Sequence, residues 1–188
     1  MAAIQTFAAI DIGSFEMELS IYEISPKYGV RSIDRVRHMI ALGRDVYKYG
    51  KISYESIDEM CRVLEDFSRI MKGYRVQAYR AYATSALREA ENNQIILDHI
   101  KVRTDLDVKI ISNSEQRFIS YKAIAVKDAE FNRIIQKGTA IVDIGFGSVQ
   151  LTLFDKDTLV TTQNLPLGGL RVRELLSGVP ANLELTMK

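Results

Sequence analysis

The sequence contains little of several features that mark particular classes of protein. It has no tryptophan and one cysteine, so no disulfide can form within the chain. Its net charge of +1 gives no reason to expect a nucleic-acid groove or an anionic membrane surface as a partner. No apolar run is long enough to span a bilayer, and the N-terminus enters a strand without a charged leader. We therefore expect a protein of a reducing, cytoplasmic setting that binds neither nucleic acid nor membrane.

The rest of the composition is that of an ordinary globular chain. Hydrophobic residues make up 47% and charged residues 26% of 188 residues, enough for one large domain or two small lobes. Residues 54–72 carry apolar side chains at spacings of three and four, which predicts a helix. Short strands and helices alternate through the middle of the chain. This order predicts an α/β fold in which a mixed sheet is covered by helices on both faces.

The stretch at 139–154 is the most informative in the chain. An apolar strand ends at Asp143, a turn with Gly145, Gly147 and Ser148 follows, and an alternating strand comes next. Glycines at alternate positions reach positive φ easily, so backbone N–H groups can converge on a concavity that suits a phosphate. The carboxylate of Asp143 could hold a divalent cation or a water. The same pattern fits a plain β-hairpin equally well.

The N-terminus repeats this pattern. A short apolar strand ends at Asp11, Gly13 and Ser14 follow, and a second strand begins soon after. Two such turns in one chain are hard to attribute to chance. We predict that they face each other across a cleft.

Four segments together resemble one family. They are Asp-Ile-Gly-Ser at 11–14, Thr-Ser-Ala-Leu-Arg-Glu-Ala at 84–90, Ile-Ile-Ser-Asn-Ser-Glu at 110–115 and Ile-Val-Asp-Ile-Gly-Phe-Gly-Ser at 141–148. Their order and spacing resemble those of the exopolyphosphatases and guanosine pentaphosphate phosphatases, the Ppx/GppA family, and residues 165–171 resemble the segment that follows there. The resemblance implies a ribonuclease-H-like fold of the actin, hexokinase and sugar-kinase superfamily. It also implies a single lobe over residues 1–188, with a second lobe absent or only begun near 168–188.

The resemblance implies hydrolysis of the terminal phosphate of polyphosphate or a guanosine polyphosphate, with Mg²⁺ as cofactor. Asp11 and Asp143 would then hold the metal, Arg88 would clamp a phosphate, and Glu115 would orient the attacking water. We leave open whether the chain forms a homodimer. Phosphate oxygens would be bound by the backbone of both turns, at Gly13, Ser14, Gly145, Gly147 and Ser148.

The sequence departs from the family at the expected site. Gln116 and Gln150 stand where the family has carboxylates, and a neutral amide cannot accept a proton from water. Phe146 adds a side chain to the second turn, and Glu16 adds negative charge to the first. Three interpretations therefore stay open: a phosphatase of weakened or lost activity, a sensor that binds polyphosphate or a guanosine polyphosphate without hydrolysing it, and a structural protein-interaction domain.

Two of the expected site residues have structural alternatives. Glu115 follows Ser112 at the spacing of a helix capping box, which would occupy its carboxylate. Arg88 could form an ion pair with Glu89 or with a neighbouring helix.

Overall fold

The computed structural model describes residues 4–127 and 131–177, whose strands form two sheets. The first sheet is mixed and has the order β3-β2-β1-β4-β5. In it β2 pairs antiparallel with β1 and β3, while β4 pairs parallel with β1 and β5. Its strands are β1 (Gln5–Ile12), β2 (Glu16–Ser25), β3 (Gly29–Met39), β4 (Ala78–Ala83) and β5 (Val108–Ile110).

Helices connect the later strands of the first sheet. They are α1 (Leu42–Tyr49), α2 (Tyr54–Gly73), α3 (Ser85–Glu89) and α4 (Asn93–Thr104), followed after β5 by α5 (Asn113–Lys127) and α6 (Phe131–Ile134). The helix predicted at 54–72 is α2, and Ser53 caps it by accepting the N–H of Ser56 at 3.2 Å. None of the helices in the described ranges is both long and apolar enough to traverse a bilayer.

The two faces of the first sheet have different environments because successive strand residues point to opposite sides. One face packs its apolar residues against α1, α2, α3 and α4 in the main core. The strand residues of this core are Ala8, Ile10, Ile12, Met17, Leu19, Ile21, Ala81 and Ala83. The opposite face lines a cleft through Asp11, Glu18 and Tyr82, and α5 stands on that side. Helices thus lie on both sides of a mixed sheet, as the sequence predicts.

The strands around the second glycine turn form a sheet of their own. This antiparallel sheet contains β6 (Thr139–Ile144), β7 (Val149–Asp155) and β8 (Thr158–Leu165), and it is followed by α7 (Gly169–Leu176). A small core of Phe131, Ile135 and Phe154 packs with Tyr121 of α5. The sequence predicted the strands on either side of the second turn, β6 and β7, but it did not predict that they leave the first sheet. The division into a single lobe over 1–188 stays a prediction, and residues 178–188 lie outside the described ranges.

Candidate active site

The cleft, of about 650 Å³, is lined by residues of both glycine turns. From the first turn come Asp11, Gly13 and Ser14; from the second come Asp143, Gly145, Gly147 and Ser148. Asp11 and Asp143 lie near the ends of β1 and β6, and the glycines and serines follow these strands, so the two sheets bring together segments that are distant in sequence. The roles that the resemblance gives these residues stay predictions, but all seven share one cavity.

The two turns are closed by equivalent hydrogen bonds. The N–H of Gly13 donates to the carbonyl of Glu16, and the N–H of Gly145 donates to the carbonyl of Ser148, each at 2.9 Å. Neither glycine has positive φ; among the described glycines only Gly29 and Gly50 do. The sequence argument from positive φ was therefore wrong at the turns. At the first turn glycine is needed for space, because a Cβ on Gly13 would lie 2.9 Å from the carbonyl oxygen of Glu16.

The turns also contact each other through a cluster of hydroxyl groups. Ser14 Oγ hydrogen-bonds with the hydroxyl of Tyr47 at 2.7 Å and with Ser85 Oγ at 3.1 Å. Gly147 packs on this cluster so closely that a Cβ there would lie within 3.0 Å of all three oxygens. Sequence reasoning missed Tyr47 and Ser85 as site residues. The only signal was that Ser85 belongs to the segment 84–90 that resembles the family.

Two phenylalanine rings bridge the turns at the cleft. Phe15 of the first turn and Phe146 of the second have ring centroids 4.6 Å apart with planes tilted by 31°. Such pairs are favourable beyond the area that they bury. Phe146 is one of the departures from the family resemblance, and its contact with Phe15 adds an apolar wall to the cavity that both rings line.

Four carboxylates surround the first turn. Asp11 is open to the cleft, but the cleft walls reduce the solvation of its carboxylate, and the negative charges of Glu18, Glu16 and Asp143 repel it. Together these effects raise the pKa of Asp11 from 3.8 to about 6. Ser120 Oγ of α5 donates to Asp143 at 3.3 Å.

The residues present fit a magnesium site made of two carboxylates. Within the described ranges, no three or more histidine, cysteine or acidic residues cluster as metal ligands. Mg²⁺ commonly binds through one or two carboxylates together with waters and substrate phosphates, so a larger set is not required. Asp11 and Asp143 line the same cavity, and the repulsion that Asp11 experiences would be relieved by a cation.

Gln116 and Gln150, the two amides that stand where the resemblance implies carboxylates, both line the cleft. Gln150 is only 3% exposed, and neither its Oε1 nor its Nε2 has a hydrogen-bond partner among the described residues. It lies directly opposite Asp143 on the neighbouring strand, and Asn164 lies opposite it on the other side. A carboxylate at 150 would thus be buried beside Asp143.

Arg88 contacts the other amide, Gln116, but does not form the ion pair with Glu89 that was its structural alternative. Its Nη1 donates to the carbonyl of Ile111 at 2.7 Å and to Gln116 Oε1 at 3.5 Å. Burial lowers the pKa of its guanidinium, which stays protonated near neutral pH. The alternative pairing with Glu89 is wrong, because Glu89 instead binds Arg171.

Glu115 lies outside the residues that line the cleft. Its carboxylate accepts the N–H of Ser112 at 2.9 Å while its own N–H donates to Ser112 Oγ at 3.1 Å, which is the capping box. Lys109 adds an ion pair at 2.6 Å, and these contacts lower the pKa of Glu115 from 4.5 to about 2. The structural alternative is confirmed, and the expected role of Glu115 toward the attacking water has no geometric support.

Comparison with known proteins identifies relatives for most of the chain. The profile of the Ppx/GppA phosphatase family matches residues 20–184. A bifunctional 3-dehydroquinate synthase/phosphatase of Fusobacterium nucleatum is 25% identical over 173 residues, 89% of this chain and 26% of that protein. Exopolyphosphatase 1 of Mycobacterium bovis is 22% identical over 91% of this chain and 49% of its own length. A guanosine-5'-triphosphate,3'-diphosphate pyrophosphatase of Pseudoalteromonas atlantica is 24% identical over 90% and 33%.

Solved structures confirm the predicted fold class. The Ppx/GppA family member of Aquifex aeolicus superposes with a TM-score of 0.73 at 26% identity, over 92% of this chain and 54% of that one. An exopolyphosphatase of Cytophaga hutchinsonii gives a TM-score of 0.78 at 24% identity, over 91% of this chain and 53% of that one.

The chain spans about half or less of the length of the curated relatives it matches.

Proposed function

We propose that this chain, which belongs to the Ppx/GppA phosphatase family, is a phosphoric anhydride hydrolase that acts on the terminal phosphate of polyphosphate or a guanosine polyphosphate. The observation that carries this proposal is the single cleft lined by both glycine turns and both aspartates. Relatives named for exopolyphosphatase and guanosine polyphosphate pyrophosphatase activity support the substrate class.

The turns would bind phosphate through their backbone. The N–H groups of Gly13 and Gly145 close the turns themselves, so phosphate oxygens would be bound by the amides that follow in each turn and by the Ser148 hydroxyl. The hydroxyl of Ser14 is less available than its N–H, because it already bonds with Tyr47 and Ser85. This hydroxyl instead holds the first turn to α1 and α3.

Asp11 and Asp143 would hold Mg²⁺ in the cleft that both line. The ion, when bound, neutralises negative charge on the phosphate and on the two carboxylates. Phosphoryl transfer depends mainly on positioning and on electrostatic stabilisation, so a cleft that holds phosphate in this way retains part of the catalytic machinery.

The two amides limit the rate that we expect. Neither Gln116 nor Gln150 can take a proton from the attacking water, and general-base catalysis typically contributes about 10²–10⁴-fold. We therefore expect slow hydrolysis, and we expect a carboxylate at these positions to raise it.

The test measures binding and phosphate release in the same samples. The chain is titrated calorimetrically with polyphosphate and with guanosine pentaphosphate in Mg²⁺, and released phosphate is assayed. Gln116→Glu/Gln150→Glu should raise release by about 10²-fold. Gln163→Glu makes the same chemical change at an exposed position of β8 and should leave release unchanged. Binding of neither ligand would refute the proposal, and binding without release in every variant would favour the sensor interpretation.

A further inference from the structure

Arg171, near the start of α7, contacts three separate elements at once. Its Nε donates to the carbonyl of Gly147 at 3.0 Å. Its Nη2 donates to both carboxylate oxygens of Glu89, at 2.8 Å and 2.6 Å. The guanidinium also lies 3.8 Å from the centre of the Tyr47 ring. The side chain is only 18% exposed, although it does not line the cleft.

These contacts connect Arg171 to both glycine turns. Gly147 belongs to the second turn, so that contact is direct. Tyr47 belongs to α1, and its hydroxyl bonds with Ser14 of the first turn at 2.7 Å. Glu89 belongs to α3, which packs with the first sheet. One side chain therefore links a turn of the second sheet to the elements that hold the turn of the first.

We propose that Arg171 is a positioning residue that sets the spacing between the two glycine turns. The proposal rests on the proposed function in that the two turns are taken as the two halves of one phosphate site. The planar guanidinium can donate to a carbonyl and a carboxylate in fixed directions while one face stacks on a ring. Lysine has one rotatable ammonium and cannot make these three contacts in the same geometry.

The ion pair with Glu89 is the most exposed of the three contacts. Glu89 is 41% exposed, and exposed ion pairs contribute little because water screens them. The contacts with Gly147 and Tyr47 are better shielded, so they should determine where the second turn lies. An ordinary surface salt bridge would instead depend on Glu89 alone.

The first measurement is amide hydrogen exchange, which requires no ligand. Gly145 N–H reports on the second turn, and Gly43 N–H, which donates to the carbonyl of Ser14 at 2.8 Å, reports on the first. Arg171→Gln and Arg171→Lys should both speed exchange at these two amides by roughly tenfold or more, with the β1–β2 ladder unchanged. Arg173→Gln, on the exposed side of the same helix, is the matched control and should change neither amide.

Two further variants separate the contacts and keep the test decisive if Arg171→Gln does not fold. Glu89→Gln should speed exchange at the same two amides by a smaller factor. Tyr47→Phe keeps the ring beneath the guanidinium but removes the hydroxyl, so Gly43 should respond more than Gly145. Unchanged exchange at Gly43 in the folded Arg171 and Glu89 variants would overturn the proposal.

The second measurement is the affinity for inorganic polyphosphate in Mg²⁺. Arg171→Lys should weaken polyphosphate binding by about tenfold, which corresponds to about 1.4 kcal/mol of positioning free energy. The Arg173→Gln protein should bind polyphosphate like the unmodified chain. If the unmodified chain binds no polyphosphate but exchange at both turns responds to Arg171, the proposed function fails and the positioning role stands. If binding is strong and insensitive to Arg171→Lys, the positioning role is refuted and the proposed function stands.

Discussion

Replacing Gly147 with alanine should destabilise the protein through the contact between the turns. The added methyl group would lie within 3.0 Å of the hydroxyl oxygens of Ser14, Tyr47 and Ser85, whereas ordinary contact begins at 3.4 Å. The Ser14 oxygen, at 2.7 Å, would have to retreat by about 0.7 Å, and the other two oxygens would have to move further. Gly147 itself has little freedom to move, because the carbonyl of the same residue accepts the Nε–H of Arg171.

The magnitude follows from two effects. Overpacking a close-packed site typically costs about 1–3 kcal/mol, and loss of one of the hydroxyl–hydroxyl hydrogen bonds adds about 1 kcal/mol. We therefore expect the free energy of unfolding to fall by about 2–4 kcal/mol, and the melting temperature of a chain of this size to fall by roughly 5–15 °C.

Urea unfolding followed by far-ultraviolet circular dichroism measures this change. The matched control is Gly138→Ala, because nothing lies within 4 Å of a Cβ at that position, and its effect should stay within about 0.5 kcal/mol. Tyr47→Phe and Ser85→Ala each remove one of the nearest oxygens. Combined with Gly147→Ala, each should therefore give less destabilisation than the sum of the single changes. A Gly147→Ala protein as stable as Gly138→Ala would refute the close contact between the turns.

Three other outcomes are expected. Glu115→Ala should lower the melting temperature at neutral pH without altering phosphate release. In the unmodified chain the pKa of Glu115 is lowered to about 2, so the contribution of its carboxylate to stability is present above pH 4.5 and is lost as the pH falls toward 2. The contribution of Asp11 to stability changes with pH in the opposite direction. Because the pKa of Asp11 in the folded protein is raised to about 6, stability should fall as the pH rises from about 4 to 6. Asp11→Asn should therefore make the melting temperature less dependent on pH over that range. Arg88→Ala should lower the free energy of unfolding by about 1–3 kcal/mol in urea, since the Ile111 carbonyl loses a charged donor, and an unchanged value would show that the bond contributes nothing.

Features that depend on short stretches of chain could be predicted from the sequence. The two strand–turn–strand units are local patterns of apolar, glycine and serine residues, and both form where expected. The capping box of Ser112 and Glu115 is likewise a motif of four consecutive residues, and it could be proposed before the structure was known. Local geometry suffices for such features, because the groups involved are already neighbours in the chain.

Features that depend on distant segments could not be predicted. Nothing in 139–165 tells whether its strands extend the first sheet or start another, because either choice gives the same alternation of side chains. The ion pair of Glu89 shows the same limit: the adjacent Arg88 was an obvious candidate partner, but the fold brings Arg171 to it instead. The hydroxyl cluster beneath Gly147 likewise joins Ser14 of the first turn with Tyr47 of α1 and Ser85 of α3, and no local pattern indicates that these three segments meet.

The charges around the cleft explain how an amide at 150 can suit this chain even though an amide cannot act as a general base. The carboxylate of Asp11 is already destabilised by Glu16, Glu18 and Asp143. A glutamate at 150 would be a buried carboxylate directly opposite Asp143. Burial and the negative charge of Asp143 would strongly raise the pKa of this glutamate unless a cation lay beside the two carboxylates. Glutamine at 150 avoids this repulsion when no metal is bound. It follows that Gln150→Glu can act as a base only while Mg²⁺ occupies the aspartates. The gain in phosphate release should therefore appear with Mg²⁺ and vanish without it, and a gain independent of the metal would show that ionisation of the introduced glutamate does not depend on the metal.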